Sequence, residues 1–240
     1  MKLQGSIALV TGANRGLGKA FASALIERGA KTVYAGVRDP STITDPNLVP
    51  IQLDITNAHE VAAAAESCGD LTLLVNNAGI LRGTSLLGAP NVDDARAEME
   101  TNYFGTLALC RRFAPVLARN GGGAIVNMLS VLSFLSLPQV GSYAASKSAA
   151  WSLTNAIRLE LQAQGTLVTA VHAGFVDTDM AARITQPKIS PDDVAAQTLD
   201  AVEAGRHEVL VDATSRDVKA ALSAELSALY PQLRHESPEG

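Results

Sequence analysis

Short runs rich in β-branched residues alternate along this chain with longer stretches whose apolar positions recur every three or four residues. The short runs predict strands at Ile7–Thr11, Thr32–Val37, 49–53, 71–76, 124–129, Leu167–His172 and 208–211. Residues 71–76 form a mostly apolar run, the pattern of a strand buried on both faces. Between them the periodicity predicts helices at 16–28, 57–67, 92–119, 142–164, from Pro191 onward, and at 216–229. Gly29, Gly69 and Gly165 stand where three of these helices must stop, and Pro191 suits a first helical turn. Strand followed by helix, repeated, predicts an α/β fold. Its expected form is a doubly wound, mostly parallel sheet of about seven strands with helices on both faces. No linker, repeat or low-complexity segment interrupts the pattern, so residues 1–240 are expected to form one domain, with a polar, frayed tail from about 231.

Composition narrows the classes of function. Apolar residues make up 47% and charged residues 18%, enough to build a packed core. A net charge of −5 argues against a nucleic-acid partner. Cys68 and Cys110 have no metal-ligand or paired spacing and read as buried thiols of a reducing compartment. No long apolar segment precedes residue 6 and no 18 consecutive residues are apolar, so neither a signal peptide nor a membrane span is expected, and cytoplasm is the default location.

The candidate chemistry begins at Thr11-Gly12-Ala13-Asn14-Arg15-Gly16-Leu17-Gly18, between the first strand and the first helix. Glycines there permit a tight turn and close approach to a pyrophosphate, and the helix N-terminus offers free N–H groups and a positive dipole end. The spacing differs from the usual Gly-x-Gly-x2-Gly of a Rossmann fold, and alone it leaves open a tight turn that binds nothing. Further on, Tyr143 and Lys147 lie four apart in a helical stretch, so both side chains share one face. An ammonium beside a phenol is expected to pull its pKa from about 10 toward neutral, where proton transfer works best. A surface Tyr–Lys pair has the same spacing.

Taken together, these stretches resemble the short-chain dehydrogenase/reductase family along nearly the whole chain. The matching motifs are the TGxxxGxG loop at 11–18, Asn76-Asn77-Ala78-Gly79 after the fourth strand, Asn102 in the long helical stretch, Ser130, and Tyr143 with Lys147. The resemblance implies an oxidoreductase that moves a hydride between a nicotinamide cofactor and a carbonyl or secondary alcohol. It implies Tyr143 as acid/base, with Ser130, Lys147 and Asn102 beside it, Asn102 holding a water that links to the lysine. It implies a cofactor site built from Gly12, Asn14, Arg15, Gly16, Leu17, Gly18, Asp54, Ile55, Asn77, Ala78, Gly79, Tyr143, Lys147, Val176 and Thr178. Two positions depart from the common pattern: Leu129 precedes Ser130 where many members have a second serine, and Ala173 replaces a proline.

The second strand ends at Val37 where NAD-preferring enzymes carry an acid, and Arg38 follows. Arg15 and Arg38 suit a 2′-phosphate, so NADP(H) is the expected cofactor, with Asp39 expected to be turned away by Pro40. Leu81, Leu132, Phe134, Leu137, Val140, Phe175 and Met180 are expected to line an apolar substrate pocket, with Arg82 and Arg183 available to an anion. A non-catalytic NADP(H)-binding sensor is the alternative, but such a protein would have lost some of the four residues of the catalytic set. Apolar residues on more than one face of 103–119 and 142–164, with Leu222, Leu226, Leu229 and Tyr230 near the end, lead to an expected homodimer or homotetramer.

Overall fold

In a computed structural model, residues 1–233 are described, and most of the expected polar tail lies outside them. The strands are β1 (Ile7–Thr11), β2 (Thr32–Val37), β3 (Leu48–Gln52), β4 (Leu73–Asn76), β5 (Ala124–Met128), β6 (Leu167–His172) and β7 (Glu208–Leu210). They form one sheet in the order β3-β2-β1-β4-β5-β6-β7, every neighbouring pair parallel. The order reverses between β1 and β4, the place where doubly wound sheets open a crevice at their C-terminal ends.

The helices are α1 (Gly16–Glu27), α2 (Ala58–Ser67), α3 (Asp93–Met99), α4 (Thr106–Arg119), α5 (Gly141–Glu160), α6 (Pro191–Glu203), α7 (Ala213–Ala221) and the short α8 (Leu226–Leu229). Alternation along β1 supplies both faces: Ala8 and Val10 join a core with Phe21 and Leu25 of α1 and Leu199 of α6. Ile7 and Leu9 join the opposite core with Phe113 of α4 and Ile157 of α5. Gly29 adopts φ +76°, a left-handed conformation open to glycine, and ends α1 as the sequence implies.

Two expected helices differ. The stretch 92–119 is continuous but not uniform, because residues Glu100–Gly105 form a π-helical segment between α3 and α4. Such single-turn insertions occur where a residue must be re-aimed, and Asn102 sits inside this one. The expected helix 216–229 starts earlier and is broken into α7 and α8. Aspartate 212 fixes the earlier start by accepting a hydrogen bond from Ser215 N at 2.7 Å.

Candidate active site

The C-terminal ends of β1, β4 and β5 bring the expected motifs together. At the end of β1 the Thr11 hydroxyl accepts hydrogen bonds from the main-chain amides of Asn77 (3.0 Å) and Ala78 (2.9 Å). The Asn77 side chain returns a bond to the Thr11 carbonyl at 2.9 Å. Thr11 therefore ties the glycine loop to the turn after β4. Within that loop the backbone runs so close that a Cβ on Gly18 would overlap the Gly12 carbonyl and stand 2.6 Å from Asn77 Nδ2. Gly16 has φ +51° and faces the Thr178 methyl, so the loop after β6 closes over the same cradle. No side chain caps the α1 N-terminus, whereas Asn57, Ser190 and Asp212 cap α2, α6 and α7. Asn14, Arg15 and Gly16 are exposed and Leu17 is half-buried.

Tyr143 and Lys147 occupy the first turns of α5 and are both buried. Lys147 Nζ donates to the Met128 carbonyl at the end of β5 (2.9 Å) and lies 5.7 Å from the centre of the Tyr143 ring. Ser130, two residues past β5, caps a 3-10 turn (Val131–Ser133), and its hydroxyl accepts from Leu132 N at 3.1 Å. The phenol does not move in the expected direction. Burial pushes Tyr143 up to about 12, a hydrogen bond from Ser130 works against that rise, and the Glu98 carboxylate adds to it. Burial also pushes Lys147 down to about 8.

Asn102 is buried, and its amide is fully engaged. Oδ1 accepts from Ile80 N (2.9 Å), while Nδ2 donates to the Ile80 carbonyl (2.9 Å) and to the Ser146 hydroxyl (2.9 Å). Ser146 in turn donates to the Tyr143 carbonyl at 2.7 Å. Asn102 thus links the chain leaving Gly79 to the helix that carries Tyr143. Ser146 was not legible as a participant, because a serine on a helix face has no distinguishing spacing.

At the other end of the crevice Arg38 is exposed after β2, and Asp39 is occupied in accepting from Ser41 N (3.0 Å) and Ser41 Oγ (2.7 Å). Arg15 pairs with Asp179 at 3.2 Å across two exposed side chains. Burial works to raise the Asp54 pKa, but the hydrogen bonds from Thr56 and the charge of Arg38 hold it below the usual value. Ile55 beside it is buried. Val176 forms a bridge to Ile189, and its carbonyl accepts from Thr178 N at 2.8 Å.

Of the expected pocket residues, Leu137, Phe175 and Met180 are exposed, and Leu81, Leu132 and Val140 half-buried. Phe134 is not a lining residue. It is buried and stacked on His172 with ring centres 4.1 Å apart, edge-on to Trp151 at 4.8 Å. His172 is fully buried, its Nδ1 lies 3.1 Å from the Ser130 carbonyl, and burial pushes it down to about 4. Arg82 lies 3.8 Å from Asp94. Cys68 and Cys110 are buried thiols, both pushed up to about 12 by burial.

The model of the short chain dehydrogenase family matches residues 6–189. The chain belongs to that family. It is 32% identical over 215 residues to a 3-oxoacyl-[acyl-carrier-protein] reductase, FabG, of Vibrio harveyi, a match covering 86% of this chain and 85% of that one. A crystal structure of a short chain dehydrogenase from Burkholderia cenocepacia J2315, in complex with NADP, superposes with a TM-score of 0.93 at 44% identity, covering 98% of this chain and 100% of that one. A short chain dehydrogenase/reductase from Burkholderia phymatum, in complex with NAD, superposes at 0.84 with 25% identity over 100% of this chain and 99% of that one. The seven-stranded parallel sheet is thus the family's doubly wound fold, and an oxidoreductase is the class of protein it belongs with.

Proposed function

We propose that this short chain dehydrogenase family member uses NADP(H) to move a hydride between the nicotinamide and a carbonyl or secondary alcohol. The observation that carries the reading is the convergence of Tyr143, Ser130 and Lys147 beside the glycine cradle, at the point where the strand order reverses. The residues present fit such a cofactor. A tight glycine turn packed against its own backbone at Gly18, leading into an uncapped α1 N-terminus, suits a pyrophosphate. Gly12, Asn14, Arg15, Gly16, Leu17 and Gly18 would hold the phosphates, Asp54 and Ile55 the adenine, and Asn77, Ala78 and Gly79 the adjoining sugar. Tyr143, Lys147, Val176 and Thr178 would hold the nicotinamide end. Arg38 and Arg15 would meet the 2′-phosphate. Asp39 is drawn toward Ser41, both of whose bonds go to its Oδ1.

The bound nicotinamide would supply the hydride for reduction or take it up for oxidation. The chain's own part concerns the oxygen. Ser130 donates a hydrogen bond that orients the carbonyl, and Tyr143 gives its phenolic proton to that oxygen as negative charge builds on it. In the reverse direction the same phenol oxygen takes the proton from the alcohol. A phenol held near 12 is fully protonated at neutral pH, which suits the reducing direction. Lys147 steadies the end of β5 through Met128 while its charge faces the site. The exposed apolar side chains of Leu137, Phe175 and Met180 favour an apolar carbonyl compound.

The test is a panel of aldehydes and ketones offered with NADPH and with NADH. Turnover of at least one member, faster with NADPH, is expected. NADPH binding without turnover of any member would replace this reading with that of a binding protein.

A further inference from the structure

Glu98 is fully buried, yet the reaction just described does not use it. One carboxylate oxygen accepts from the main-chain amide of Arg82 at 2.6 Å, and the other has no hydrogen-bond partner among the described residues. A carboxylate costs several kcal/mol to bury on the order estimated for real proteins, and one amide offsets only part of that. A position that needed only filling would carry an apolar side chain. Residues 98 and 102 are four apart, and both reach the same stretch of backbone. Asn102 bonds both polar groups of Ile80, and Glu98 bonds the amide of Arg82. Two side chains from the helical stretch thereby imitate the edge of a neighbouring strand.

The stretch they hold lies against the catalytic helix at both ends. A Cβ on Gly79 would be 3.6 Å from Lys147 Nζ, and Leu86 packs where a Cβ on Gly141 would stand, 2.7 Å from its Cδ1. Residues 79–86 therefore run from Lys147 to the first residue of α5, two positions before Tyr143. Resting on the oxidoreductase reading above, we propose that Glu98 is a positioning residue: by fixing the backbone of residues 80–82 it sets one wall of the substrate cleft, and so how tightly the carbonyl substrate is held. Its influence falls chiefly on substrate affinity, because its charge is the smallest of the three causes that shift the Tyr143 phenol.

Glu98→Met fills the same space without an acceptor, while Glu98→Gln keeps one for the Arg82 amide. With the best carbonyl substrate and saturating NADPH, Glu98→Met is expected to raise KM about tenfold or more, the loss of a bond to a charged acceptor. kcat should stay within about threefold and NADPH affinity should be unchanged, and Glu98→Gln should recover most of the KM. A fall in kcat at constant KM, or equal KM values for the Met and Gln variants, overturns the proposal. Amide exchange provides a reading that needs no turnover: residues 80–87 should exchange about tenfold faster in Glu98→Met than in the unmodified protein or Glu98→Gln. Unchanged exchange there also overturns it. If Glu98→Met does not fold, Glu98→Asp, one methylene short of Arg82, takes its place with the same expectations. An unmodified protein that reduces no carbonyl would refute the oxidoreductase reading, and the exchange measurement would still decide the clamp.

Discussion

Tyr143 must keep its proton until an oxygen beside it turns basic, and burial in the first turn of α5 does that. Replacing it by Phe removes the donor and leaves the ring's packing intact. Turnover should fall about 10²–10⁴-fold while NADPH titration, followed by fluorescence, is little changed. Near-full turnover would show that another group delivers the proton. Arg38→Ala should weaken NADPH binding about tenfold or more and leave NADH almost untouched, since a charge-assisted bond is worth roughly 1.5–3 kcal/mol. Equal losses for both cofactors would mean that Arg38 does not meet the extra phosphate. His172 gives a pH dependence with a definite sign. Its folded pKa, about 4, lies below the ordinary 6.5, so between these values the unfolded chain binds more protons than the folded one. Stability therefore falls as pH drops from 6.5 toward 4. Urea titrations at pH 7.5 and 4.5 should show the unmodified protein losing about 2 kcal/mol more than His172→Asn. A pH-independent difference between the two would refute the buried neutral imidazole. Among single residues, Tyr143, Lys147, Ser130 and the glycines were legible because their spacing along one helix or one turn already states their geometry. Glu98 was not, because a carboxylate in a helical stretch reads as a solvated surface group until the chain that covers it is known.

The elements were legible where periodicity and stop residues agreed. β1, β2 and β6 have the bounds that their apolar runs imply, and Gly29 closes α1 with the positive φ that a glycine stop suggests. The π-helical turn at Glu100–Gly105 was not legible as such. What makes the turn worthwhile is the bonding of Asn102 to the Ile80 backbone, which is remote in sequence. The break between α7 and α8, at residues 222–225, was not legible either; beyond α8 the Tyr230 hydroxyl accepts from Ser136 N at 3.0 Å and ties the end of that helix to the segment after β5. The glycine loop offers the sharpest test at this scale. Gly18→Ala forces a methyl into the Gly12 carbonyl and the Asn77 amide. It should lower NADPH affinity about tenfold or more and cost about 1–3 kcal/mol, the usual range for overpacking. Unchanged binding would mean that the loop is only a turn.

At the scale of the whole molecule, the case for self-association is narrower than the sequence implies. Leu109, Phe113 and Val116 of α4, and Leu153 and Ile157 of α5, are covered by the chain's own core. Phe104, just before α4, and Leu159 of α5 remain exposed on these stretches, and Leu107 and Trp151 are half-buried. We still propose a homodimer through this face, now resting on those two exposed side chains. Light scattering at micromolar concentration should give the mass of two chains, and Phe104→Glu with Leu159→Glu the mass of one. A single-chain mass for the unmodified protein would end the proposal.

The reversal of strand order between β1 and β4 also bears on how the chain is made. β2 and β3 follow β1 directly, so three strands of the sheet can assemble early in translation. The other edge of β1 pairs with β4, and Leu73–Asn76 leaves the ribosome long after Ile7–Thr11. β4 then waits for Ala124–Met128 in its turn. Each interval exposes an apolar strand with unpaired backbone groups, the form most open to pairing with another nascent chain. Ribosome-stalled fragments ending between β4 and β5 are therefore where a chaperone would be needed most.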